Sequence, residues 1–188
     1  MTPAEALFEE GEAARVLPVC DHYCGVEARM RKSLALQAEL GPVFDVTLDG
    51  EDGAPVGGEV EHAALMAELV NSADNRFGRV GIRLQQVEHP AFEAVLSQVV
   101  EAAGTRLAYL MIPKPRGLAD LQRAVTAVEA AELSAGLRQP IPLHALVETH
   151  GALREVMALA AHPRIESLSF GLMDFVSAHA GAIPAQGM

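Results

Sequence analysis

The chain has 188 residues, which is enough for one domain with its own hydrophobic core. Half of the residues are hydrophobic and 21% are charged, which excludes a disordered chain, and no apolar run approaches the roughly 18 residues of a membrane-spanning helix. The 14 Lys and Arg residues face 25 Asp and Glu residues, and this net charge of -11 argues against a nucleic-acid partner but not against a small anionic substrate.

Two further features concern the cellular compartment. The first ten residues are acidic and lack the basic and then apolar order of a secretory signal. Cys20 and Cys24 are the only cysteines and cannot form a disulfide framework. We therefore expect a soluble protein of the reducing cytoplasm.

Short apolar runs alternate with amphipathic helical patterns along the chain. The runs predict strands at 16–20, 43–49, 79–84, 107–112, 142–148 and 165–171. The intervening patterns predict helices at 26–40, 61–70, 90–104, 120–133 and 151–161. Because the strands are almost continuously apolar, we expect a parallel sheet that is covered on both faces. Such βα repeats form either an open doubly wound sheet or a (β/α) barrel.

The positions of ionisable residues favour the barrel. Asp49, Arg83, Lys114, Glu148 and Asp174 each lie at or just after the end of a different predicted strand. A ring of strands brings all such ends to one mouth, whereas an open sheet does not. No G-x-G-x-x-G turn supports dinucleotide binding. The expected fold is α/β, of the (β/α)8 TIM-barrel type.

The chain supplies only about six of the eight βα units. An arc of six strands would leave two sheet edges exposed. We therefore expect an N-terminal extension at 1–14 and a barrel domain at 15–188 that is truncated at its C-terminus, in a fragment of a longer polypeptide. Closure of the gap by another chain is the alternative.

Two acidic residues are candidates for binding a metal ion. Glu148 in V-E-T-H-G and Asp174 in F-G-L-M-D-F follow neighbouring strands. Mg²⁺ binds one or two carboxylates and leaves other positions to water and substrate, so this pair suits it. In the structural alternative, Glu148 caps a helix and Asp174 pairs with an arginine.

Other charged residues at the strand ends are candidates for catalysis. Arg83 can bind a carboxylate or carbonyl in bidentate fashion, or it can form a buried ion pair. The acids Asp49, Glu51 and Asp52 are expected to raise one another's pKa, unless they form a solvated turn. Cys20 and Cys24 with His22 between them lack the further ligands of a tetrahedral metal site.

Five segments, in the same order and at similar spacing, resemble the citrate lyase beta-subunit-like and malyl-CoA lyase family of the HpcH/HpaI aldolase superfamily. They are FDVTLDGEDGAP, GIRLQQ, LMIPKPRGLADL, LHALVETHGAL and LSFGLMDF. The resemblance extends from about residue 15 to the C-terminus. DHYCG replaces the usual glycine-containing turn after the first strand, and Gln85 replaces a common Asn.

The resemblance implies a barrel lyase that cleaves a 3-hydroxyacyl-CoA thioester of the malyl-CoA, citramalyl-CoA or citryl-CoA type. It implies Mg²⁺ (or Mn²⁺) on Glu148 and Asp174, with Arg83, Glu51 and Asp52 as catalytic residues. We assign Lys32 and Lys114, together with Arg83, to substrate binding. A homo-oligomer without nucleic-acid or membrane partners is expected. The alternatives are a class II aldolase of free 2-oxo hydroxy acids and a non-catalytic barrel.

Overall fold

The computed structural model describes residues 20–187, which form a single parallel sheet flanked by helices. The strands are Asp21–Cys24 (β1), Asp45–Asp49 (β2), Val80–Arg83 (β3), Leu110–Ile112 (β4), Leu143–Val147 (β5) and Ile165–Phe170 (β6). The helices are Glu27–Leu40 (α1), Glu59–Asn71 (α2), Phe92–Ala103 (α3), Leu118–Ser134 (α4), His150–Arg154 (α5), Val156–Ala160 (α6) and Leu172–Ala178 (α7). None of these helices has the length and apolarity needed to cross a bilayer.

The strand order is β1-β2-β3-β4-β5-β6, with every neighbouring pair parallel. Each strand therefore pairs with the next one along the chain, as in a (β/α) barrel and unlike the reversed order of a doubly wound sheet. A hydrogen bond between two strands that are not neighbours shows that the sheet is curled. The Tyr23 hydroxyl of β1 donates to the Met111 sulfur of β4 at 2.8 Å. In a flat sheet about 14 Å would separate these two strands.

The two faces of the sheet have different residues. Outward-facing residues such as Val46, Leu48 and Ile82 are fully buried against the helices and form the main core. Helix α3 contributes apolar residues at helical spacing, including Val95 and Val99. The concave face instead carries polar residues and a small separate cluster of Tyr109, Met111 and Leu146.

The predicted fold class is confirmed, and three details of the predicted elements need comment. The first described strand begins at Asp21, and the predicted strand at 16–20 lies almost entirely outside the described residues and stays a prediction. The predicted helix at 151–161 is divided at Glu155 into α5 and α6. Helix α7 was not predicted. The proposed boundary between residues 14 and 15 also lies outside the described residues and stays a prediction.

Candidate active site

A cleft of about 390 Å³ opens at the carboxyl ends of the strands and extends along the concave face. Its lining residues are Asp21, Tyr23, Arg83, Leu146, Glu148, Ser169, Phe170, Gly171, Leu172, Met173 and Asp174. Two cavities of about 490 and 550 Å³ lie elsewhere and contain none of the predicted site residues. The curled sheet thus brings together Arg83, Glu148 and Asp174, which are far apart in the sequence.

Glu148 directly follows β5 and is only 3% exposed. Its Oε1 accepts the Lys114 backbone N–H at 2.9 Å. Burial raises the pKa of Glu148 to about 7. The hydrogen bond from the Lys114 N–H acts to lower this pKa, and the neighbouring Asp174 and Glu51 carboxylates act to raise it. The N-cap of α5 is Thr149, whose hydroxyl accepts the Ala152 N–H, and not Glu148 as in the structural alternative. The Glu148 carboxylate is therefore placed at the cleft with little compensation of its charge.

Gly171 at the start of α7 makes room for this carboxylate. A Cβ at position 171 would collide with Glu148 Oε2 and would lie 2.6 Å from Glu148 Cβ. Its φ of -88° is accessible to other residues, so the constraint is the close approach and not the backbone conformation. Asp174 lies in the first turn of the same helix and lines the same cleft.

Arg83 forms the buried ion pair of the structural alternative, and its partner is Asp49 on the neighbouring strand β2. Its Nε and Nη2 donate to Asp49 Oδ1 and Oδ2 at 2.7 and 2.6 Å. Burial alone would raise the pKa of Asp49, but the hydrogen bonds and charge of Arg83 outweigh burial and lower it. The expectation that like charges raise this pKa is therefore wrong for Asp49. The guanidinium also lies 5.4 Å from the ring centroid of Tyr23 and faces the cleft.

Lys114 connects three acidic residues, two in the segment after β2 and one in α7. Its Nζ lies 2.7 Å from Glu51 Oε1, 2.6 Å from Asp52 Oδ2 and 3.5 Å from Asp174 Oδ1. Burial opposes the charged ammonium, but the hydrogen bonds that Lys114 donates to Asp52 and Glu51 hold its pKa above the usual range. Glu51 Oε2 is buried without a hydrogen-bond partner and lies 3.4 Å from Arg83 Nη1.

Lys32 is placed differently from the other predicted site residues. It is exposed on α1, and it is not among the residues that line the cleft in the described part of the chain. Its assignment to substrate binding stays a prediction.

Sequence reasoning missed Asp21, Tyr23 and Ser169, which also line the cleft. The inward-facing residues of β1, Asp21 and Tyr23, are polar, so the strand lacks the apolar run that served as the signal for strands. Asp49 was predicted to lie at a strand end with Glu51 and Asp52, but not to pair with Arg83. The register of β2 against β3 places Asp49 directly beside Arg83, and the Asp49 carboxylate holds the guanidinium.

The donor set fits a hard divalent cation better than a soft one. Among residues 20–187, no group of three or more His, Cys, Asp or Glu side chains is arranged to hold a metal ion. Glu148 and Asp174 provide only carboxylate oxygens, and Mg²⁺ commonly uses one or two of these. Cys20 and Cys24 are free thiols, and the buried Cys24 thiol contacts Ser33 and the Thr47 carbonyl.

Solved structures share this fold. The chain superposes over its whole length on a citrate lyase from Burkholderia xenovorans LB400, with a TM-score of 0.86, 50% sequence identity and 58% of that chain covered. The citrate lyase beta subunit of Mycobacterium tuberculosis, complexed with oxaloacetate and magnesium, matches with a TM-score of 0.66 at 19% identity. That match covers 92% of this chain and 67% of the other.

Sequence comparison leads to the same group. The L-malyl-CoA/beta-methylmalyl-CoA lyase of Cereibacter sphaeroides is 27% identical over 133 residues, which are 70% of this chain. The malyl-CoA/beta-methylmalyl-CoA/citramalyl-CoA lyase of Chloroflexus aurantiacus is 26% identical over 128 residues, or 68% of this chain. The chain spans only 42% and 37% of the lengths of these two relatives. The model of the HpcH/HpaI aldolase/citrate lyase family matches residues 33–182, and the chain therefore belongs to this family.

Proposed function

We propose that this chain carries the metal- and substrate-binding half of a Mg²⁺-dependent carbon–carbon lyase that acts on 3-hydroxyacyl-CoA thioesters. The observation that carries the proposal is the convergence of Arg83, Glu148 and Asp174 on one cleft, with Glu51 and Asp52 beside them. The names of the similar proteins support a thioester substrate, and family membership supports the lyase reaction.

Glu148 and Asp174 would hold the metal ion. When bound there, Mg²⁺ supplies Lewis acidity toward the oxygen atoms of the 2-oxo product half, which is worth several kcal/mol of transition-state stabilisation. The buried Glu148 carboxylate is repelled by Asp174 and Glu51, so a bound cation would relieve an unfavourable concentration of negative charge.

The proposed reaction is a retro-aldol cleavage in which a base removes the substrate hydroxyl proton. Glu51 is suited to this task, because its Oε2 is buried and accepts no hydrogen bond in the structure. The carbon–carbon bond then breaks, its electron pair passes to the thioester half as an enolate, and a proton later adds to that enolate carbon. Arg83, oriented by Asp49, provides positive charge where the enolate oxygen develops.

A coupled assay tests this function directly. Malyl-CoA, citramalyl-CoA and citryl-CoA are compared with free hydroxy-keto acids at equal concentration in the presence of Mg²⁺. Turnover of a thioester that is lost in Arg83→Ala and retained in the exposed control Glu101→Gln supports the proposal. Turnover of free acids alone would assign the chain to the class II aldolase reaction, and no turnover would favour a non-catalytic barrel.

A further inference from the structure

Lys114 has an unusual backbone conformation for its sequence context. Its φ is 47°, and Lys114 and Ala180 are the only non-glycine residues with positive φ in the described part of the chain. Lys114 also lies between Pro113 and Pro115. A residue before proline strongly prefers extended backbone, and left-handed backbone is unfavourable for residues with a Cβ. Such a conformation persists only where surrounding contacts hold it, and it occurs often at functional sites.

In this conformation the backbone N–H and the side chain of Lys114 contact different acidic residues. The backbone N–H points to Glu148 Oε1, while the side chain reaches Glu51, Asp52 and Asp174. An ammonium has three hydrogens, and three carboxylates surround this one. The Lys114 side chain is 17% exposed, so little of it remains available to a ligand.

The segment after β2 lies against two cations, because Lys114 contacts Glu51 and Asp52 and Arg83 Nη1 lies 3.4 Å from Glu51 Oε2. Asp49 accepts the N–H groups of Glu51 and Gly53, but the Asp49 carboxylate is itself paired with Arg83. Gln86 donates a hydrogen bond to Glu51 at 2.9 Å but adds no charge. The Asp52 carboxylate accepts a hydrogen bond from the Lys114 ammonium. Without Lys114, Glu51, Asp52 and Asp174 would repel one another across the mouth of the cleft.

We propose that Lys114 is a positioning residue, which clamps residues 51–54 and Asp174 into one acidic rim with its ammonium and orients Glu148 with its backbone N–H. This role differs from direct substrate binding, because it operates in the free protein. Its kinetic consequence rests on the lyase function proposed above, whereas its structural consequence does not.

The test uses hydrogen–deuterium exchange of the metal-free full chain, resolved by residue. Lys114→Asn removes the ammonium but keeps a residue that tolerates left-handed backbone and keeps the N–H. Lys114→Gly is the second variant, which has no strain at this φ and also lacks the ammonium. Arg138→Asn, which removes a positive charge from an exposed position near the opposite end of the sheet, controls for net charge.

We expect the amides of Glu51, Gly53 and Ala54 to exchange at least about tenfold faster in both Lys114 variants. This is the change expected when a segment loses one hydrogen bond to a charged group. The Ile82 amide of β3 and the Arg138→Asn control should stay within about twofold of the wild type. With an active substrate, kcat should fall and KM should change little.

Unchanged exchange at residues 51–54 in both variants would overturn the proposal, as would an equal acceleration at Ile82, which indicates a general loss of stability. A rise in KM with normal exchange would restore the substrate-binding role. If the wild type cleaves no thioester, the lyase function fails, and the exchange measurement still decides the positioning role.

Discussion

Replacing Glu148 with glutamine should stabilise the metal-free protein at alkaline pH. Burial raises the pKa of Glu148 from 4.5 to about 7, so the folded state holds its proton more tightly than the unfolded state does. Stability associated with this group therefore falls as the pH rises from about 4.5 to about 7. At 1.36 kcal/mol per pKa unit, the cost of the ionised form is about 3 kcal/mol at pH 8.5.

The amide that Glu148→Gln introduces cannot ionise, but its oxygen can still accept the Lys114 N–H. We expect the free energy of unfolding of Glu148→Gln to exceed that of the wild type by up to about 3 kcal/mol at pH 8.5 and by roughly half as much at pH 5.5. The assay is urea denaturation followed by circular dichroism, with a chelator present and Glu101→Gln as the control. A variant less stable than the wild type at pH 8.5, or a difference that does not vary with pH, would refute this reasoning.

Three other predictions concern the packing of the concave face and its edges. Gly171→Ala should displace the Glu148 carboxylate and reduce Mg²⁺ affinity by at least about tenfold, measured by calorimetry, because a Cβ collides with Oε2. Arg83→Lys should cost about 1–3 kcal/mol in urea denaturation, since lysine cannot reproduce the bidentate pair with buried Asp49. Light scattering should show a mass above the 19.9 kDa monomer, because β1 and β6 each have one neighbour in the described sheet; a monomeric mass would contradict this.

Much of the fold could be predicted from periodicity, because the outward faces of the strands are apolar. Val46 and Leu48 or Val80 and Ile82 mark such strands directly. The rule failed at β1, since the inward-facing Asp21 and Tyr23 are polar and no apolar run surrounds them in the strand. Polar residues that face the interior of a barrel interrupt the apolar runs by which its strands are predicted.

The candidate site was only partly predictable for a different reason. Arg83, Glu148 and Asp174 could be found because a (β/α) barrel gathers its functional side chains at the carboxyl ends of its strands, which lie at one mouth. The pairing of Arg83 with Asp49 depends on the register of β2 against β3, which periodicity does not determine. The left-handed backbone of Lys114 and the close approach of Gly171 to Glu148 are tertiary features with no local signal that distinguishes them.

The proposed lyase function requires that the Glu148 and Asp174 carboxylates share one hard cation. Calorimetric titration of the metal-free full chain with Mg²⁺ at pH 8 tests it, with the variants Glu148→Gln and Asp174→Asn and the control Glu101→Gln. We expect one saturable Mg²⁺ site in the wild type and the control, and at least about a tenfold loss of affinity in each of the two variants. Equal Mg²⁺ affinity in the wild type and both variants would contradict the proposed metal site.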